Sequence, residues 1–277
     1  MPVLDFPTTI IIYFVTNLCI AVMLAVAFSD SRARGAWLWI AGMAVQLASG
    51  PFFLLRGSIS DLLSILLANL LFTASWTCYL ASLDVFFGNR RSRWVYMLPL
   101  LLALGIFSVW MDAPRMRAIF ANALYTGQCL VLAVVLLARR NQYRARFIAI
   151  FALGYALGAG ASLLRAAAAF LNHDPTANPF APGAVQTYSL LISAPSLVAC
   201  TLGFVLLQRE RSEAEIRRLA DIDHLTGLTN RRGFEAAFTA ALARAAARND
   251  WTSLALIDLD HLDRKSTRLN SSHDQIS

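Results

Sequence analysis

Seven long apolar runs follow one another along this chain, and short loops holding most of the nearby arginines separate them. They cover residues 8–28, 36–55, 62–87, 94–110, 118–138, 147–164 and 188–207. A helix crossing a bilayer needs about 20 predominantly apolar residues, and only helices and closed barrels satisfy their backbone polar groups in lipid. These runs therefore predict about seven transmembrane helices. The rest of the composition agrees: 277 residues that are 57% hydrophobic cannot cover themselves as a water-soluble globule.

Charge sets the orientation. One set of alternate loops carries Arg32, Arg34, Arg90, Arg91, Arg93, Arg139, Arg140, Arg144 and Arg146; the other carries Arg56, Arg115, Arg117 and Arg165. Nine cations against four place the first set in the cytoplasm, since short cytoplasmic loops retain Lys and Arg. The N-terminus is then outside, the region after Leu207 is cytoplasmic, and the protein belongs in a cell's inner membrane. The net charge of +7 reflects this bias rather than a nucleic-acid partner. Cys19, Cys78, Cys129 and Cys200 all lie in apolar runs without metal-ligand spacing, so neither disulfides nor zinc are expected. The first run is too long for a signal-peptide core and reads as a retained span. No internal repeat of the kind a transporter predicts is visible.

Asn17, Gln46, Asn69, Asp84, Asn122, Gln128 and Arg165 lie within or at the ends of spans, where each costs free energy unless it faces the bundle interior or reaches water. They suit interhelical hydrogen bonds better than a sensing pocket, with Asp84 and Arg165 close enough to span ends to reach the interface. Gly154 and Gly158, with Gly160 behind them, form a small-residue face open to two readings, a dimer contact or packing within one bundle. Trp37, Trp39, Trp94 and Trp110 lie near span ends, which suits headgroup level.

After Leu207 the sequence turns charged and free of Gly and Pro (QRERSEAEIRRLADID), predicting that the last span continues as a cytoplasmic helix through residues 208–222. Arg209, Ser212, Ile216 and Leu219 recur at heptad-like spacing, which fits either a short coiled coil in a dimer or one solvated helix with an apolar edge.

The next segment, DHLTGLTNRRGF from Asp223 to Phe234, reads as a turn and a helix start. Gly227 allows a tight bend, and Thr229 or Asn230 can cap a helix over residues 231–248, whose apolar face carries Phe234, Phe238, Leu242 and Ala245. Residues 252–260 then predict a buried strand with Asp258 and Asp260 at its far end. A lone pair of such acids would be ordinary strand-end solvation; together with the preceding motif it suits a metal at a sheet edge.

The two elements DHLTGLTNRRGF and LALIDLDHL, about two dozen residues apart, resemble the opening of the GGDEF family, the diguanylate cyclases that join two GTP into cyclic di-GMP. The resemblance implies a mostly α protein: a polytopic membrane helix bundle followed by a cytoplasmic helix and the start of an α/β, nucleotidyl-cyclase-like GGDEF domain. It implies Mg2+ or Mn2+ held by the Asp258 carboxylate and the Leu259 carbonyl, with the backbone of His261 and Leu262 cradling GTP phosphates. Asp223, Leu225, Thr226, Gly227, Leu228, Asn230, Arg231, Arg232 and Phe234 then form a structural motif in which an acid–arginine contact pins the turn. Homodimerisation is implied for activity, since each protomer presents one GTP.

Beyond Leu262 the family expects a Lys, an Asn-Asp pair and later the GG(D/E)EF hairpin, whereas this sequence reads DRKSTRLNSSHDQIS. Asp263 to His273 back-translates into a sequence resembling a common short-read sequencing adapter, so residues 263–277 are expected to be library read-through rather than protein. The division expected is a sensory membrane region over 1–207, a connector over 208–222, a GGDEF fragment over 223–262 and that tail. Such a fragment is too small to bury a core of its own and is expected to be inactive as it stands, an abbreviated form of an active parent. The competing reading is a membrane receptor or interaction protein with a degenerate, non-catalytic GGDEF domain.

Overall fold

Each of the seven apolar runs is occupied by a helix in the computed structural model, which describes residues 6–29, 33–171, 184–223, 225–255 and 257. Among the described residues there are eight α-helices. They are α1 (Phe6–Ala27), α2 (Ala36–Leu54), α3 (Ala68–Phe87), α4 (Arg93–Val109), α5 (Pro114–Leu137), α6 (Ala145–Phe170), α7 (Ala184–Ala220) and α8 (Arg231–Arg248). A π-helical segment, Leu62–Leu67, leads directly into α3. The chain divides into two units, Met1–Ser212 and Glu213–Ser277.

The first unit is the helical bundle. Six of its helices are long and apolar enough to cross a membrane, while α4, with 17 residues, is shorter. At 1.5 Å per residue α4 reaches about 26 Å, just under the roughly 30 Å of hydrocarbon. Neighbours in sequence pack together, α2 on α3 and α5 on α6, as short connections require.

At the bundle's centre stands Trp39, 1% exposed, stacked on Phe204 with ring centroids 4.5 Å apart and packed against Tyr79 at 4.7 Å. This corrects its expected place at headgroup level. Trp37 is 54% exposed; two residues turn a helix by about 200°, so neighbouring tryptophans at a span end face opposite ways. The glycine face resolves in favour of packing within the bundle. A Cβ on Gly154 would sit 2.6 Å from Cys200 Sγ and one on Gly158 3.1 Å from Ser196 Oγ, so α6 and α7 touch there, and Ser196 Oγ donates to the Gly154 carbonyl at 2.7 Å.

Gln46, Asn69 and Gln128 make the expected interhelical hydrogen bonds, whereas Asn17 is buried with neither amide atom partnered among the described residues. Gln46 links three helices: its Nε2 donates to Tyr13 Oη at 2.6 Å and its Oε1 accepts from Tyr79 Oη at 2.7 Å. Tyr125 Oη donates to Asn69 Oδ1 at 2.9 Å. Asn122 bonds within its own helix, to the Ala118 carbonyl. Asp84 differs from expectation. It is 2% exposed and is neutralised in place rather than by reaching water: Arg91 Nε lies 2.8–2.9 Å from both carboxylate oxygens, and Asn89 Nδ2 and Tyr96 Oη donate at 2.9 Å.

Helix α7 runs unbroken from Ala184 to Ala220, so the last span does continue into the connector. In the second unit the connector's apolar edge is open within the single chain: Ile216 is 64% exposed, and Arg217 pairs with Glu213 at 3.6 Å, one turn back. The side chain of Leu219 is outside the described residues. The strand expected over 252–260 is not formed by residues 252–255 or by Ile257. A strand needs a neighbour to take up its N–H and C=O groups, and there is no strand elsewhere among the described residues.

Candidate functional site

The segment between α7 and α8 is a compact turn closed by its own side chains. Ile222 and Thr229 form an antiparallel bridge, and Asp223 N donates to the Leu228 carbonyl at 2.7 Å. Inside the loop the Asp223 carboxylate accepts from Leu225 N at 3.1 Å, Thr226 N at 2.9 Å and Thr226 Oγ1 at 2.8 Å. This is an Asx-type turn: a short acidic side chain satisfies successive amides that no helix or strand takes up. Gly227 completes it with φ 69°, a left-handed conformation that a side chain would strain.

Asn230 joins this turn to α8 at both of its polar ends. Its Oδ1 caps the helix by accepting from Gly233 N at 3.0 Å, and its Nδ2 donates to the Ala220 carbonyl at the end of α7 at 2.8 Å. The helix then runs over the expected residues. Of the two capping candidates, Asn230 fills the role because its carboxamide serves both helix ends.

The arginine pair makes acid contacts. Arg232 Nε lies 3.6 Å from Asp221 Oδ1, and Arg231 Nε lies 3.1 Å from Glu235 Oε1. Leu225 and Leu228 are 96% and 68% exposed, and Phe234 stacks on Phe238 with centroids 5.9 Å apart. Sequence reasoning passes over Gly233. It is buried, and a Cβ there would meet Thr229 Cγ2 at 2.6 Å and the Asp221 carbonyl at 2.7 Å. Its only signal is its place in the first turn of a capped helix, where glycine is a poor helix former and so points to close approach.

Asp258, Leu259, His261 and Leu262, the residues expected to hold metal and phosphate, lie outside the described residues, as does the tail from Asp263. Among the described residues no cluster of three His, Cys, Asp or Glu side chains forms a cation site.

The family of diguanylate cyclase GGDEF domains matches residues 220–269. Those residues are GGDEF-family sequence. The match takes in the closed turn, α8 and the LALIDLDHL segment, and it runs past Leu262 to Leu269. No curated protein and no solved structure matches the chain. The GGDEF segment thus follows a helical bundle whose long apolar helices suit a multi-pass membrane protein. Within the matched residues, the Asp223 carboxylate closes the turn and Asn230 caps α8.

Proposed function

We propose that the gene encodes a membrane-bound diguanylate cyclase acting in signal transduction, converting two GTP into cyclic di-GMP and two pyrophosphates. The observation carrying this reading is the GGDEF match over 220–269, placed after the bundle and α7. The bundle, residues 1–207, is the sensory region, α4 is the fourth of its seven spans, and the N-terminus lies outside the inner membrane. The connector, 208–222, brings two copies together. That is the geometry the reaction needs, since a ribose 3′-hydroxyl of one GTP attacks the α-phosphate of the other and pyrophosphate leaves.

Asp258 and Leu259 offer a carboxylate and a carbonyl, the hard oxygen donors that Mg2+ or Mn2+ prefers. A cation bound there would offset charge building on the phosphoryl oxygens. The amides of His261 and Leu262 would hold phosphate by hydrogen bonds, and the Asp223 turn with Asn230 would fix the direction in which α8 starts.

Expression of the gene as read from genomic DNA, followed by assay of membranes with GTP and Mg2+, tests the proposal. Cyclic di-GMP should form, and Asp258→Ala, which removes a metal ligand itself, should reduce it by more than the roughly 10–100-fold that loss of a ligand's outer-shell partner costs. An intact signature hairpin without product would sink the enzyme reading in favour of a degenerate nucleotide- or partner-binding domain. The same genomic read decides whether codons for residues 263–277 exist; their presence would end the adapter reading.

A further inference from the structure

A cavity of about 220 Å³ lies within the bundle, larger than the roughly 150 Å³ void that admits a benzene ring. Aromatic rings form its body, among them Trp39, Phe72, Trp76, Tyr79, Tyr125 and Tyr155. One end is different in kind: Arg56, Arg117 and Arg165 all line it. They come from the α2–α3 loop, the start of α5 and the second half of α6, so three separate elements deliver cations to one place.

Two further observations show what this wall lacks. Four lining side chains carry buried polar groups that find no partner: Arg56 Nε, Trp39 Nε1, Trp76 Nε1 and Tyr155 Oη. Three of the four can only donate, and a buried donor left without an acceptor is costly. The second observation concerns Arg56 and Arg117. Burial, and then the nearby Arg117 and Arg165, push the Arg56 guanidinium down to about 10 from its ordinary range, with Asp61 offsetting this in part; Asp61 and Asp112 also lie near enough to Arg117 to act on it. Arg56 Nη2 is held by the Ser64 carbonyl at 2.9 Å and Arg117 Nη1 by that of Met111, contacts that satisfy hydrogens without supplying negative charge.

We propose that this cavity is a binding site for a small organic anion, a carboxylate on an aromatic or similarly flat apolar body. Its carboxylate sits beside Arg56 and Arg117 and its ring among the tryptophans and tyrosines. Arginine forks match carboxylates, and aromatic walls recognise rings. α7 forms one wall through Ser193, Ser196 and Cys200, and it is the same helix that continues as the connector. The site stands on the bundle alone, whatever the GGDEF segment catalyses.

The test uses the purified full chain in bilayer discs of zwitterionic lipid, with benzoate and phenylacetate as probes, and benzamide and phenylacetamide as their uncharged counterparts. Binding is read from tryptophan fluorescence, since Trp39 and Trp76 line the site. At least one acid should bind saturably, and its amide at least about tenfold more weakly, a difference of ~1.4 kcal/mol. Arg56→Gln should weaken the acid by about tenfold or more, in keeping with loss of a charge-assisted contact. Ala118→Leu, which removes no charge and fills space beside Arg117, should also weaken it. Circular dichroism of each variant confirms helical content, and one folded variant is enough to decide. Failure of both acids to bind, equal binding of acid and amide, or unchanged binding in a folded variant overturns the proposal. So does displacement of the acid by anionic lipid added to the discs, which would make a lipid headgroup the occupant.

Discussion

At the end of the bundle where α3 gives way to α4, a buried carboxylate gathers its own donors and holds Arg91 in an ion pair; at the opposite end, arginines line a cavity and two of them lean on carbonyls. At the first end Asp84 holds Arg91, Asn89 and Tyr96, Arg139 reaches Asn89 Oδ1 at 2.5 Å, and Glu210 accepts from Arg144 N at 3.1 Å. At the second, Arg56 and Arg117 bond to the carbonyls of Ser64 and Met111, and Arg115 caps the end of α6 through the carbonyls of Ala169 and Phe170. A carbonyl satisfies a donor as well as a carboxylate does but leaves the charge in place. The Asp84 cluster is therefore a structural lock, whereas the carbonyls that hold Arg56 and Arg117 neutralise neither charge.

The comparison predicts effects of opposite sign. Asp84→Asn leaves Arg91 facing a neutral amide. It should lower the bundle's stability by about 3 kcal/mol, the low end for a broken buried pair, because Arg91 keeps 31% of its side-chain surface exposed. Reversible unfolding of micelle-embedded protein in sodium dodecyl sulfate measures it. A loss below the error of that measurement would mean the first end is no lock.

Between the ends, Gln46→Leu removes the centre of the Tyr13–Gln46–Tyr79 chain and strands two buried hydroxyls, which should cost about 2 kcal/mol. The same unfolding experiment reads it, and a neutral result would show that water already serves those hydroxyls. Arg139→Gln at the locked end removes the bond to Asn89 and the cation over the Phe87 ring, 5.7 Å from its centroid. It should cost about 0.5–1 kcal/mol, the range for a part-exposed polar contact.

Much of this architecture is legible in the sequence because membrane helices announce themselves by length and composition. The span positions, the continuous α7 and the start and cap of α8 at Asn230 all follow from local chemistry. What local chemistry omits is which face of a span meets protein and which meets lipid, since both faces are apolar. That is why Trp39, near a span end, reads as a headgroup residue while it sits under Phe204, and why Asp84 reads as reaching water while Arg91, seven residues on, neutralises it. The cavity is hidden for the same reason: Gln46, Asn69, Asn122 and Arg165 stand out individually as polar residues in spans, but only packing brings them beside Trp76 and Tyr155. In the GGDEF segment the motif is plain, yet the need for glycine at 233 depends on how closely α8 approaches the Asp221 carbonyl.

The smallest predicted effect divides the two ends most cleanly. Arg56→Gln takes a cation away from two others, and its partner carbonyl on Ser64 can still accept from an amide. Without ligand, the bundle should therefore gain up to about 0.5 kcal/mol or stay unchanged, since removing like-charge repulsion at a half-buried site offsets the lost packing of the side chain. Adding benzoate or phenylacetate should raise the unfolding midpoint of the wild type, because a ligand bound only to the folded state stabilises it in proportion to the logarithm of its concentration over Kd. The Arg56→Gln protein should lose that increment, so the two proteins should exchange order of stability as acid is added. If Arg56→Gln instead destabilises the ligand-free bundle as Asp84→Asn does, the two ends are alike, and the arginine cluster is a structural device rather than half of a binding site.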